Sequence, residues 1–167
     1  YEEIEAEYRF VEDYKRPYKD LPYPPIFVTV DAVVVQAGNI LLVERGGRPG
    51  KGLWALPGGF LNAHERIEDA VYRELREETK IAVPEKVLRG STEAWEVFDA
   101  VHRSSRGRTI THAALINLEG DDELPRIKGS DDAKKAKWFP LTGAGAIHRD
   151  QVFEDHYSIM MAMTAKL

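Results

Sequence analysis

The sequence predicts an α+β fold, a sheet flanked by helices. Three observations carry that prediction. The runs 26–36 and 109–118 are apolar and rich in β-branched residues, as buried strands are. Ile67, Ala70, Val71 and Leu75 recur at the period of a helix and form one apolar stripe. Strand-like runs are mixed with few helical ones, which suggests a sheet flanked by helices.

The elements follow in order. Residues 1–16 are charged and helix-prone, and Pro17 with the Pro22-Tyr23-Pro24-Pro25 cluster stops the helix. Residues 1–24 therefore read as a linker helix with a proline-rich entry, and 25–167 as the domain proper. The first residue is Tyr, so the chain is expected to be a piece of something longer. Strand 26–36 turns at Gly38-Asn39 into a returning strand, 40–43. Residues 44–52, with four glycines and a proline, read as a loop. A strand, a loop and the striped helix come next. Residues 87–101 are strand-like with a bend near Glu93, 102–108 form a basic turn, and 119–132 form an acidic loop. Residues 136–139 make a short strand that ends at Pro140, and 142–148 and 154–166 read as helices.

At 167 residues the chain is long enough for one domain with a real core. Its 43% hydrophobic and 31% charged content fits a globular protein. A net charge of −5 argues against a general nucleic-acid binder. With no cysteine, disulfides, thiol catalysis and zinc–thiolate sites are excluded. No apolar run approaches the ~18 residues of a membrane span, and no signal peptide is visible, so the cytoplasm is the expected location.

The chemistry concentrates in one stretch. Gly59 is followed after five residues by Glu65, and after seven more by Arg73-Glu74-Leu75-Arg76-Glu77-Glu78-Thr79-Lys80-Ile81. On a helix Glu74, Glu77 and Glu78 share a face, and each like-charge pair costs roughly 0.2–0.5 kcal/mol even when exposed. These acids lie on or beside the apolar stripe, aimed at the rim of the core. A hard divalent cation relieves such crowding, because Mg2+ takes oxygen ligands while keeping waters and phosphates in its shell. The competing reading is an ordinary charged helix with local Glu–Arg pairs.

This spacing resembles the box of the Nudix family, G-x5-E-x7-R-E-U-x-E-E-x-G-U with U aliphatic. One fixed position departs: Lys80 stands where the family has a glycine that caps the helix in left-handed conformation. A lysine there implies a different cap or a cost of roughly 1 kcal/mol. The lead-in Leu53-Trp54-Ala55-Leu56-Pro57-Gly58-Gly59-Phe60 is also similar to the family's. The resemblance implies an α/β/α sandwich with a mixed sheet, and cleavage of a nucleoside diphosphate joined to another group with Mg2+ or Mn2+. It implies Glu74 and Glu78 as principal metal ligands, Glu77 as a third with a catalytic role, and the Gly58 carbonyl as a further ligand. Arg73 is implied to orient the glutamates, Glu65 and Glu77 included.

Specificity must lie outside the box. Arg103, Arg106 and Arg108 sit in one short turn with Gly and Ser, which suits bidentate grip of phosphate; the competing reading is a solvated basic hairpin. The entry 22–32, this turn and Val152-Phe153-Glu154-Asp155-His156-Tyr157 are similar to the Nudix domain that follows a nucleotidyltransferase domain in bifunctional nicotinamide-mononucleotide adenylyltransferases. That branch implies hydrolysis of ADP-ribose to AMP and ribose 5-phosphate, an adenylyltransferase domain as upstream partner, and a possible homodimer. Arg103, Arg106 and Arg108 would hold the pyrophosphate or terminal ribose, with Arg45 assisting and Phe98 preferred over Phe27 and Phe153 for stacking on adenine. Asp132, in an acidic loop, is the expected general base, with Asp131, Glu123, His112 and His156 as alternatives. The same landmarks occur in Nudix-related regulators of NAD metabolism, so an ADP-ribose-sensing module without catalysis is an alternative. Another nucleoside diphosphate derivative as substrate is a second, and an assembly module for a partner domain a third.

Overall fold

A computed structural model describes residues 1–120, 123–129 and 133–167, with the side chains of Ala133 and Lys134 left aside. Helix α1 (Glu2–Lys15) runs into a 3-10 turn at Arg16–Tyr18 whose Pro17 presets the backbone. The strands are β1 (Ile26–Gln36), β2 (Asn39–Arg45), β3 (Trp54–Ala55), β4 (Gly58–Phe60), β5 (Thr92–Phe98), β6 (Arg108–Asn117) and β7 (Ala133–Pro140). Helices α2 (Ile67–Thr79), α3 (Glu85–Gly90) and α4 (His156–Thr164) complete the order.

Among the described residues the strands form one mixed sheet, ordered β3-β2-β1-β6-β5, with β4 paired to β1 and β7 to β2. Among the described strands the central pair β1–β6 is parallel and the others antiparallel; its register places Val30 opposite His112 and Val34 opposite Ile116. Alternation along β1 sorts its side chains by face. Val30, Ala32 and Val34 join Val71, Leu75 and Leu88 in the core under α2 and α3. Val33 and Val35 join Leu42, Ile159, Met160 and Met163 in the core under α4. The two layers make the expected α/β/α sandwich. Among the described residues no helix is long and apolar enough to cross a membrane.

Three expectations are corrected. Residues 87–90 are not strand: α3 begins after Pro84, and the Ser91 amide closes it on the Val87 and Leu88 carbonyls. The strand starts at Thr92, and the pairing of β5 with β6 shifts between Thr92 and Ala94, where the bend near Glu93 was expected. Residues 142–148 are not helix, because Gly143 and Gly145 sit at φ +77° and +87° and break it into turns. The last helix begins two residues late. Glu154 takes φ +45° and Asp155 is the N-cap, which keeps both acids off the helix and turned toward the basic turn 102–108.

Candidate active site

The site forms where β1 parts from β2 and makes room for β3 and β4. Gly58, Gly59 and Phe60 pair with Asp31, Val30 and Thr29, which places the lead-in loop over the C-terminal half of α2. On α2, Ala70, Val71, Tyr72, Leu75 and Thr79 are buried and hold the helix on the sheet. Glu74 and Glu78, at i,i+4, border the cleft this creates. Its volume is about 440 Å³.

The three box acids differ. Glu78 accepts the Gly58 amide at 2.7 Å, and burial, then Glu74 and Asp31, push its carboxyl up to about 8. Glu74 is 15% exposed, and burial holds its carboxyl above the usual range despite Arg73. Its Oε1 lies so near Gly59 that a Cβ there would stand 2.6 Å away, so a larger residue would push the carboxylate from its place. Glu77 borders the same cleft but is 56% exposed and pairs with Arg73 at 3.3 Å. Arg73 is the hub: it donates to Glu65 at 2.8 and 2.6 Å, to Glu74 at 2.9 Å and to the Phe60 carbonyl at 3.3 Å. Glu65 raises the basicity of Arg73, and Arg73 lowers the pKa of Glu65 in turn.

Among the described residues no three His, Asp or Glu side chains are spaced to cage a metal alone. The donors nevertheless fit a hard cation with an open shell. Two carboxyls that burial holds above their usual range lose that penalty beside a cation, and Mg2+ or Mn2+ completes its shell with water and phosphate.

The opposite wall is cationic. Arg45 lies 4.0 Å over the Phe153 ring, and Arg106 lies 5.1 Å from the centre of Phe60 and 5.8 Å from that of Phe153. Burial and the neighbouring Arg106 both lower the pKa of Arg45. Arg106 approaches Glu154 at 3.7 Å. Arg103 also lines the cleft, but its Nε and Nη2 grip Asp155 at 2.9 and 2.8 Å, a bidentate pair in which Arg103 is buried and Asp155 half-buried. Arg108 donates to the Asp99 carbonyl at 2.6 Å and borders a separate groove beneath α1. Phe98 packs with the core under α4. Asp131 and Asp132 lie outside the described residues. His112 is partly buried on β6, opposite Val30 and Val97, and Glu123 is exposed.

One group is absent from the sequence expectation. Asp31 is buried in the middle of β1, accepts the Thr111 hydroxyl at 2.5 Å and faces His156 Nε2 at 3.7 Å. His156 Nδ1 accepts the Leu56 amide at 3.0 Å, and burial lowers its pKa, so the ring is neutral with its proton on Nε2. The cleft floor is thereby cross-tied between β1, β6, the β3–β4 loop and α4. The signal was present: a lone acid in an apolar β-branched strand needs a partner.

Comparison with known proteins accords with this geometry. Residues 25–162 match the model of the NUDIX domain. An ADP-ribose pyrophosphatase from Methanocaldococcus jannaschii is 34% identical over 131 residues, covering 77% of this chain and 72% of that protein. A bifunctional NMN adenylyltransferase/ADP ribose pyrophosphatase from Francisella tularensis, solved with AMP and a Mn ion, superposes with a TM-score of 0.91 at 44% identity. That superposition covers 96% of this chain and 47% of the Francisella chain, so the present chain spans about half of that relative's length. An ADPR-responsive transcriptional repressor from Acinetobacter baylyi is 30% identical over 158 residues, covering 90% of this chain and 58% of the repressor. With the family match running from the start of β1 into α4, and the box helix presenting its acids to a cleft, the chain belongs to the Nudix family.

Proposed function

We propose that this chain hydrolyses ADP-ribose to AMP and ribose 5-phosphate with Mg2+ or Mn2+, as one domain of a bifunctional enzyme of NAD metabolism. One observation carries the reading. A single cleft has an acidic wall on which Glu74 and Glu78 are held above their usual pKa and a cationic wall on which burial and then Arg106 depress Arg45. A metal-bound diphosphate answers both imbalances at once, with the cation at the acids and the phosphate oxygens at the arginines. The names of the Methanocaldococcus and Francisella relatives support ADP-ribose as the substrate.

Glu74 and Glu78 would hold the cation, with Glu77 at the rim and Gly58 beside Glu78. When bound, the cation neutralises phosphate charge and makes a bound water a stronger nucleophile. The Gly58 amide fixes one oxygen of Glu78, and Arg73 locks Glu74 and Glu65 in place, so the acids need not reorganise as charge develops. Arg106 and Arg45 bind the diphosphate. Arg103 acts at one remove, by tying the basic turn to Asp155. Stacking on adenine passes from Phe98 to Phe60, which borders the cleft.

Product analysis with Mg2+ or Mn2+ against ADP-ribose, NADH, diadenosine polyphosphates and nucleoside triphosphates tests this. AMP released from ADP-ribose alone is the expected result. Preference for another compound keeps the acidic wall and moves the substrate. The Acinetobacter repressor favours a second reading, ADP-ribose sensing, which predicts binding without turnover.

A further inference from the structure

Helix α1 buries no residue fully; its packing on the domain is a partly buried Tyr14, edge-on to Phe27 of β1 at 6.2 Å. Its polar hold falls on the glycine-rich loop 46–52. Glu3 takes Arg48 Nη2 at 2.6 Å, and both oxygens of Glu7 accept the Gly50 amide at 3.0 Å. The loop in turn reaches the cationic wall. The Pro49 carbonyl accepts Arg45 Nε at 2.8 Å, and Gly50 lies so close to the Phe153 ring that a Cβ would overlap it. Phe153 is the ring against which Arg45 and Arg106 stand.

Arg48 is the unusual member of this set. It borders the active-site cleft, yet its Nε is buried without a hydrogen-bond partner, the nearest Glu7 oxygen being 4.0 Å away. An unmet buried donor costs stability, and a charged one costs more than a neutral one. The other arginines of the cleft show what a satisfied fork looks like: Arg103 spends Nε and Nη2 together on Asp155. Arg48 gives Nη2 to Glu3, whose side chain is 69% exposed, and an ion pair with so exposed a partner is weak. Phosphate oxygens accept a guanidinium fork more strongly than such a pair does.

We propose that Arg48 is a further substrate-binding residue that takes a phosphate of the nucleoside diphosphate substrate, and that α1 positions it through Glu3 and Glu7. The inference rests on the functional reading above. Glu7 is a positioning residue, since it touches the loop and not the substrate. The charge arrangement agrees: α1 brings two acids to hold the arginine in the ligand-free state, and the phosphate displaces the weaker contact.

Steady-state kinetics on the whole chain tests it. Arg48→Ala is expected to raise KM for ADP-ribose about tenfold and leave kcat within about twofold, the signature of lost ground-state binding. Glu7→Gln is expected to raise KM by a smaller factor with the same split. The double variant is expected to be no worse than Arg48→Ala, because the two residues act in series. Calorimetric titration with ADP-ribose should show the same loss of affinity. Arg48→Ala with KM and affinity unchanged overturns the proposal, as does a Glu7→Gln effect that falls on kcat and thermal stability and spares KM. Should the native chain prefer another of the diphosphates tested, the functional reading fails alone, and the Arg48→Ala comparison is made on that compound. Should none be hydrolysed, equal ADP-ribose affinity of the native and Arg48→Ala chains overturns the inference.

Discussion

Glu78 is the most buried of the box acids, and its protonation is the handle on its proposed role. Its carboxyl stands near 8 when folded, against an ordinary value of 4.5. A folded state that holds a proton more tightly than the unfolded chain loses stability as pH rises. The contribution is therefore full below about 4.5 and gone above about 8. In metal-stripped protein the melting temperature is expected to fall by several degrees between those limits, and Glu78→Gln to flatten the slope. Added Mn2+ should restore more at the alkaline end, where the carboxylate is ionised. The same substitution is expected to cut kcat by about a hundredfold or more with ADP-ribose, since Glu78 is proposed to hold the cation at the reacting centre. Arg106→Ala should instead raise KM about tenfold with a smaller effect on kcat, because it stands on the binding wall. The acids were legible because spacing fixes a helix face within a few residues. The partner of Arg103 was not, because Asp155 is 52 residues away, and the partner of Asp31 was not, because Thr111 is 80 away. Local spacing says nothing about which distant residue closes a pair.

Elements explain the rest of what the sequence did and did not reveal. Buried strands announce themselves by composition, and β1, β2 and β6 lie within a residue or two of their expected places. Short helices do not: α3 has six residues, one buried leucine and no stripe to read. Its hold is tertiary, through Arg89, which donates to Asp69 at 2.8 Å and stands 4.5 Å over the Tyr72 ring. The end of α2 combines both cases. Lys80 caps the helix in left-handed conformation at φ +48°, as the family glycine would, with its amide on the Arg76 carbonyl at 3.0 Å. A side chain in that conformation costs about 1 kcal/mol relative to glycine. Lys80→Gly is therefore expected to stabilise the protein by about that amount in urea denaturation, with kcat and KM unchanged. A loss of stability would mean that the lysine side chain makes a compensating contact.

At the scale of the molecule, the active site is a seam between the two layers. The acidic wall belongs to α2 on one face of the sheet. The cationic wall belongs to segments that pack with α4 on the other. Nothing within either layer fixes the distance between the walls, so ties across the opened sheet must do it. The Leu56 amide on His156 Nδ1 at 3.0 Å is one such tie, and Arg103 with Asp155 is the stronger, since it anchors the basic turn to the start of α4 through a bidentate pair. Removing Arg103 leaves Asp155, which is 27% exposed, without its partner, at a cost of about 2 kcal/mol, below that of breaking a fully buried pair. Arg103→Ala is expected to lose roughly that much stability in urea and also to raise KM, because Arg106 sits three residues along the released turn. Arg103→Lys should recover little, since one ammonium cannot make both bonds. Removing Asp155 as well should return part of the stability and none of the affinity, because the uncompensated charge is gone while the turn stays untethered. If the double variant instead regains native KM, the pair serves folding alone, and the spacing of the walls is set by the bond between Leu56 and His156.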